Sequence, residues 1–149
     1  MGESKYVVFA LGSEQYGLPI ESVERILVAQ ATTRIPRSPK AMLGLFDLRG
    51  TTVPAFDLGL RLANESSKGL NDIVVHEDDF RYALRVDQVI GIVMLSEADQ
   101  DEAPPMFQNS DDAFIAGIGK AGERLFVLLE PSAVLPDRLR VSAEKALAA

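Results

Sequence analysis

Apolar and polar positions along this chain fall mostly into short runs with the two-residue period of strands. Lys5 to Leu11 is rich in aromatic and β-branched residues and is closed by Gly12-Ser13, and Tyr16 to Ile20 supplies a hairpin partner. Glu21 to Leu27 is mixed. Ile20, Val23, Ile26 and Leu27 have helical spacing, while the β-branched content admits a turn of helix running into a strand. Pro36 and Pro39 bracket a loop, and a helical turn is expected at Lys40 to Leu43. From Gly44 to Leu58 the pattern is a strand, a hinge at Arg49-Gly50, a second strand containing Pro54, and Asp57 as N-cap of a short helix with Leu58, Leu60 and Leu62. Proline cannot donate to a ladder, so the strand of Pro54 is expected at a sheet edge or a bulge.

Ala63 to Leu70 is a polar loop, followed by strands at Asp72–His76, Phe80–Val86 and Val89–Leu95. In the second of these, Tyr82, Leu84 and Val86 alternate with Arg81, Ala83, Arg85 and Asp87, as in a half-exposed sheet. Residues 96–113 lack periodicity and read as an acidic loop, and Phe114–Ile118 with Arg124–Leu129 forms a last hairpin. Pro131 starts a helical tail through about Ala146, within a C-terminal segment 131–149. About ten short strands with regular turn signals predict a mostly β barrel or sandwich with minor helices, and no internal repeat is apparent.

At 149 residues the chain is read as one domain, or two small subdomains sharing a core, and the absence of cysteine excludes disulfides, thiolate metal sites and a thiol nucleophile. The first residues lack the apolar core of a signal peptide and no run is long enough to span a bilayer, so a soluble cytoplasmic protein is expected. The net charge of −7 argues against nucleic acid. Charge is uneven: Arg25, Arg34, Arg37, Lys40 and Arg49 face one acid, Asp47, across that interval, whereas residues 96–112 carry six acids and no base. Such polarity can steer a protein partner.

Three motifs reduce to structure. Gly117 to Gly122 has the letters GxGxxG but leads into a strand, where a dinucleotide site needs a helix. His76, the only histidine, has no second ligand and no nucleophile elbow. Asp99 to Pro104 starts like a calcium loop, but Ala103 and Pro104 break the pattern. A small carboxylate-dependent hydrolase would need two convergent acids in a deep pocket, and a ligand-binding barrel a closed apolar cavity. Arg49 is different: a guanidinium beside a glycine hinge is either paired inside the fold, with Asp47 or Asp57, or offered to a partner.

Gly44, Leu48, Arg49, Gly50, Pro54, Asp57 and Leu58 stand at the spacing of the CheW family signature, and the chain resembles that family over roughly Lys5 to Leu135. Arg34-Ile35-Pro36, Val86-Asp87-Gln88-Val89 and Phe114-Ile115-Ala116-Gly117 follow in the family's order. The resemblance implies one domain, 1–149, of two intertwined SH3-like five-stranded β-barrel subdomains with a shared core, short helices and a C-terminal helix. It implies no catalysis, cofactor or metal. The implied role is an adaptor between the cytoplasmic tip of a chemoreceptor and the regulatory domain of a CheA-type histidine kinase, at membrane-associated arrays, with other CheW-like domains as further partners. A diverged scaffold of a motility or pili system is the alternative. Receptor contact is implied in a groove between the subdomains, near Val23 and Gly44 to Gly50, a stretch that includes Leu48 and Arg49. Two positions depart from the family: Asp47 replaces its Asn and Arg25 its usual Glu, so both join the implied partner-binding set.

Overall fold

The computed structural model describes residues 2–63, 65–103, 105 and 113–148. These form a six-stranded and a five-stranded sheet. Strands β1 (Ser4–Leu11), β2 (Glu14–Pro19), β8 (Gln88–Leu95), β9 (Gln100–Glu102), β10 (Ile115–Ala121) and β11 (Arg124–Leu129) make the first, in the order β8-β1-β2-β11-β10-β9. Strands β3 (Val23–Val28), β4 (Met42–Leu48), β5 (Thr51–Asp57), β6 (Asn71–Glu77) and β7 (Phe80–Val86) make the second, ordered β3-β6-β7-β5-β4. Helix α1 (Leu58–Ala63) follows β5, and α2 (Pro131–Val134) and α3 (Asp137–Ala148) follow β11.

The two sheets repeat one plan. In each, two antiparallel pairings lead to a parallel one (β2 with β11, β7 with β5) and then to a last antiparallel hairpin. The registers superpose residue by residue. Leu11 and Glu14 close the β1–β2 turn as Glu77 and Phe80 close β6–β7. A bulge opposes Val23 and Arg25 to Val75 and Val74, and its counterpart sets Val89 and Gly91 against Phe9 and Val8. Gly44 and Gly117 sit at matching bulges, where an added Cβ would lie 2.2 Å from the Thr33 carbonyl oxygen and 2.4 Å from that of Asp101. No side chain fits either place. Asp57 and Glu130 end the two hairpins, and each carboxylate accepts a backbone N–H of the following helix, from Leu60 and Ser132. The repeat is written in register and turns, not in residue identities, which is why the sequence alone conceals it.

The halves are also interlaced. Hairpin β1–β2 hands the chain to β3, which pairs with β6 in the other sheet, while β6–β7 hands it to β8, which pairs with β1. A central core lies between the sheets, with Val7, Phe9 and Leu18 facing Phe56, Ile73, Val75, Tyr82 and Leu84. Each sheet curls over a smaller interior of its own: Val8, Leu95, Phe126 and Leu128 in the first, Phe46, Val53, Ala55, Val74 and Ala83 in the second. Two SH3-like units on a shared core therefore hold.

Several expectations change. The first sheet has six strands because the acidic segment contains a 3-10 turn, Glu97–Asp99, and β9, which pairs with Gly117–Gly119. Residues 104 and 106–112 of that segment lie outside the described ones. The strand orders are open, so neither unit closes by hydrogen bonding. The helical turn expected at Lys40 is a single turn closed by Met42 N–H to the Pro39 carbonyl, and β4 starts there. Pro54 is not on an edge strand, since β5 lies between β7 and β4, but it adjoins the bulge of β4 between Met42 and Gly44. Its partner Leu45 spends its N–H and carbonyl on Thr33, so the pair needs no bond from the proline, and the β7 ladder starts only at Ala55. The helical tail breaks at Leu135, which the following proline holds extended (φ −101°, ψ 116°). The second face of β7 is only partly exposed: Ala83 and Asp87 are buried, while Arg81 and Arg85 are half-buried.

Candidate functional site

Arg49 and Gly50 are the two central residues of the β4–β5 turn, with φ of 51° and 88°. Positive φ at both positions is the type I′ geometry whose twist matches the flanking strands, and glycine at the second makes it affordable. Asp47 accepts the Gly50 N–H at 3.3 Å. The turn thrusts Arg49 into solvent, and its guanidinium has no hydrogen bond or ion pair among the described residues. The internal pairing considered for it is therefore absent. Asp57 is buried and engaged with Leu60 and Ser67 instead. Leu48 anchors the turn by packing on the small interior of the second sheet.

Strand β3 brings the other site residues. Val23 packs on the central core, and Leu27 on the same small interior as Leu48, which ties β3 to the base of the Arg49 turn. Glu24, the bulge residue, does not reach Arg49: its carboxylate takes Arg81 in two bonds of 3.0 and 2.6 Å. Arg25 is half-buried and, among the described residues, without an acid partner. Gly44 is buried under Thr33, where an added Cβ would lie 2.2 Å from the Thr33 carbonyl oxygen, and it shapes the strand. The set thus divides into exposed residues (Asp47, Arg49, Gly50), half-buried ones (Val23, Arg25, Leu48) and the buried Gly44.

Sequence reasoning missed an exposed apolar feature. Val28 is 73% exposed and Ile26 stands beside it on β3, while β8 exposes Ile90, Ile92 (57%) and Met94. The two strands meet at Asn71, whose side chain accepts the Val89 N–H at 2.9 Å and donates to the Leu27 carbonyl at 3.2 Å. Exposed Leu70 precedes Asn71, and Val28 is its strand partner, so the rows converge on the seam between the sheets. The signal was present: Val89 to Leu95 is apolar at both parities, with Val93 and Leu95 inside and Ile90, Ile92 and Met94 outside. A strand apolar on both faces needs a cover on both.

The buried acids serve structure. Asp72, fully buried, accepts the Gln30 N–H and two bonds from Arg85, whose pKa is held up chiefly by that hydrogen bonding. Asp87 accepts backbone N–H groups of Gly12 and Lys68. Neither pairs with another carboxylate as hydrolytic chemistry would require. The Tyr82 hydroxyl is pushed far above its ordinary pKa by burial and then by Glu77, to which it donates at 2.9 Å. Glu77 also binds Arg140 of α3 at 2.8 Å, locking the helix to the second sheet.

Comparison with known proteins converges on one family. The model of the CheW-like domain matches residues 5–139. The chemotaxis protein CheW of Helicobacter pylori is 28% identical over 134 residues, covering 88% of this chain and 81% of that protein. That of Klebsiella aerogenes is 29% identical over 129 residues, covering 85% and 78%. Among solved structures, the scaffolding protein TtCheW from Thermoanaerobacter tengcongensis is similar at a TM-score of 0.76 and 32% identity, over 87% of this chain and 85% of that one.

Proposed function

The chain belongs to the CheW-like domain family, and on that premise we propose that it is a non-enzymatic chemotaxis adaptor joining a chemoreceptor's cytoplasmic tip to the regulatory domain of a CheA-type kinase. The observation that carries the receptor half is the apolar seam where β3 and β8 meet. An amphipathic helix laid along it would bury Val28, Ile92 and Met94, each side chain contributing about 1.5–3 kcal/mol before the cost of association. Arg49 and Arg25, with no acid partner among the described residues, favour a carboxylate on that helix and give the encounter its orientation. The kinase and other CheW-like domains would take the outer sheet edges, in the cytoplasm beneath the receptors. Among the described residues no helix is long and apolar enough to cross a membrane, so attachment to an array would run through these partners.

The test measures binding of a receptor helical-hairpin fragment and of the kinase regulatory domain, both from the source organism, to the wild type, Ile92→Asp and Arg49→Glu. Both substitutions are expected to weaken the receptor fragment at least tenfold, about 1.4 kcal/mol, and to move Tm by no more than about 3 °C. Unchanged receptor affinity in Ile92→Asp would remove the seam from the reading. A large fall in Tm for Arg49→Glu with binding intact would make that arginine structural.

A further inference from the structure

The two strands of the seam belong to different sheets, and each is held by a different neighbour: β3 pairs with β6, and β8 with β1. Apolar contact is non-directional, so Ile26, Val28, Ile90, Ile92 and Met94 do not by themselves set the gap between the two rows. Directional bonds do, and they converge on Leu70 and Asn71. The Ala29 N–H donates to the Leu70 carbonyl, the Leu70 N–H to that of Asp87, and the Asp87 N–H to that of Ala10, each at 3.1 Å. This backbone relay runs from the exit of β3 to β1. Beside it lies the half-buried Asn71 side chain. Its Nδ2 donates to the Leu27 carbonyl at 3.2 Å and its Oδ1 accepts the Val89 N–H at 2.9 Å. Asn71 itself stands on β6, opposite Val28. One side chain thus bonds both seam strands from a third.

We propose that Asn71 is a positioning residue for docking at the seam: its carboxamide fixes β3 against β8 and so sets the spacing at which their exposed rows form one continuous surface. The residue type follows from the partners. Holding a carbonyl and an N–H at once takes a donor and an acceptor on one short planar group, which the carboxamide supplies. An ionised aspartate offers acceptors only, and a serine hydroxyl is one oxygen on a shorter arm. The partners also leave a single orientation for the amide, nitrogen to Leu27 and oxygen to Val89. Leu70, 57% exposed, is tied into the same junction by the relay and adds its side chain to the surface. This role rests on the seam being the receptor surface, and Asn71 acts there through the strands it holds.

The test uses the full chain with Asn71→Asp, which keeps the acceptor for Val89 but sets a carboxylate against the Leu27 carbonyl, and with Asn71→Ser as a second variant should the first not fold. Dispersed amide spectra establish folding. Because the chain has no cysteine, Val28→Cys with Met94→Cys carries a pair of spin labels whose separation reports the gap between β3 and β8. The distance distribution is expected to shift or broaden in the folded variants. Their affinity for the receptor helical-hairpin fragment, measured without labels and well below Tm, is expected to fall at least tenfold. A distance distribution identical to that of the Asn71 protein would overturn the proposal, and so would an affinity within twofold of wild type. A loss of affinity seen near Tm but absent in the cold would make Asn71 a stabiliser of the fold only, and would also reject the role. Failure of the wild type to bind the fragment would instead remove the receptor reading, and the label distances would still decide whether Asn71 holds the seam.

Discussion

At the scale of single residues, Arg49 and Tyr82 show opposite solutions for a polar group. Arg49 is held out by a turn whose backbone demands positive φ, so its charge stays solvated and costs the fold little. Tyr82 is fully buried and keeps its hydroxyl by donating to Glu77. Because its folded pKa lies above the ordinary value of 10.0, its contribution is fully present below about pH 10 and is lost as pH rises further, when only the unfolded chain ionises there. Tyr82→Phe is therefore expected to cost about 1 kcal/mol at neutral pH, from the lost hydrogen bond, and to lose less stability than wild type on going from about pH 9 to 11. Urea midpoints across that range check it, and parallel curves would refute it.

At the scale of elements, β3 matters most, since it carries Val23, Arg25, Ile26 and Val28 and hangs on the end of its sheet. Its exit is held by the buried Asp72, which grips Gln30 N–H just beyond the strand and is itself held by Arg85. Removing one partner of such a pair leaves a buried charge behind, so Arg85→Met should cost about 3–5 kcal/mol, read as a fall in Tm of about 10 °C. The seam amides of Val28 and Val89 should broaden in the same variant. The sequence made the strands, the Arg49 hinge and the Asp57 cap legible, because each rests on a local rule of period, φ or capping. It hid β9, whose three residues Gln100–Glu102 have no apolar face and exist only because β10 offers an edge. Likewise, no local rule joins Glu24, at the bulge of β3, to Arg81, 57 residues away, which its carboxylate holds at 2.6 Å.

At the scale of the molecule, each half lends its third strand to the other, so neither sheet is complete without both stretches of chain. Fragments 1–63 and 65–149 are each expected to give collapsed amide spectra alone and to recover the native spectrum when mixed. A dispersed spectrum from either fragment by itself would show that one half folds independently. The central core adds to this, because Val7, Phe9 and Leu18 meet Ile73, Val75 and Tyr82 across it. The candidate receptor surface lies at that junction, which no single stretch of sequence contains.

The exchange of β3 and β8 also has a mechanical meaning. A load applied along the seam pulls on β3, which is hydrogen-bonded to β6 in one sheet and joined through one short turn to β2 in the other. The mirror-image linkage runs from β8 to β1 and β7. Densely packed interiors are stiff, so neither sheet can yield alone. A tug on one side is delivered to the other nearly undiminished, which makes the protein a rigid yoke and not a tether.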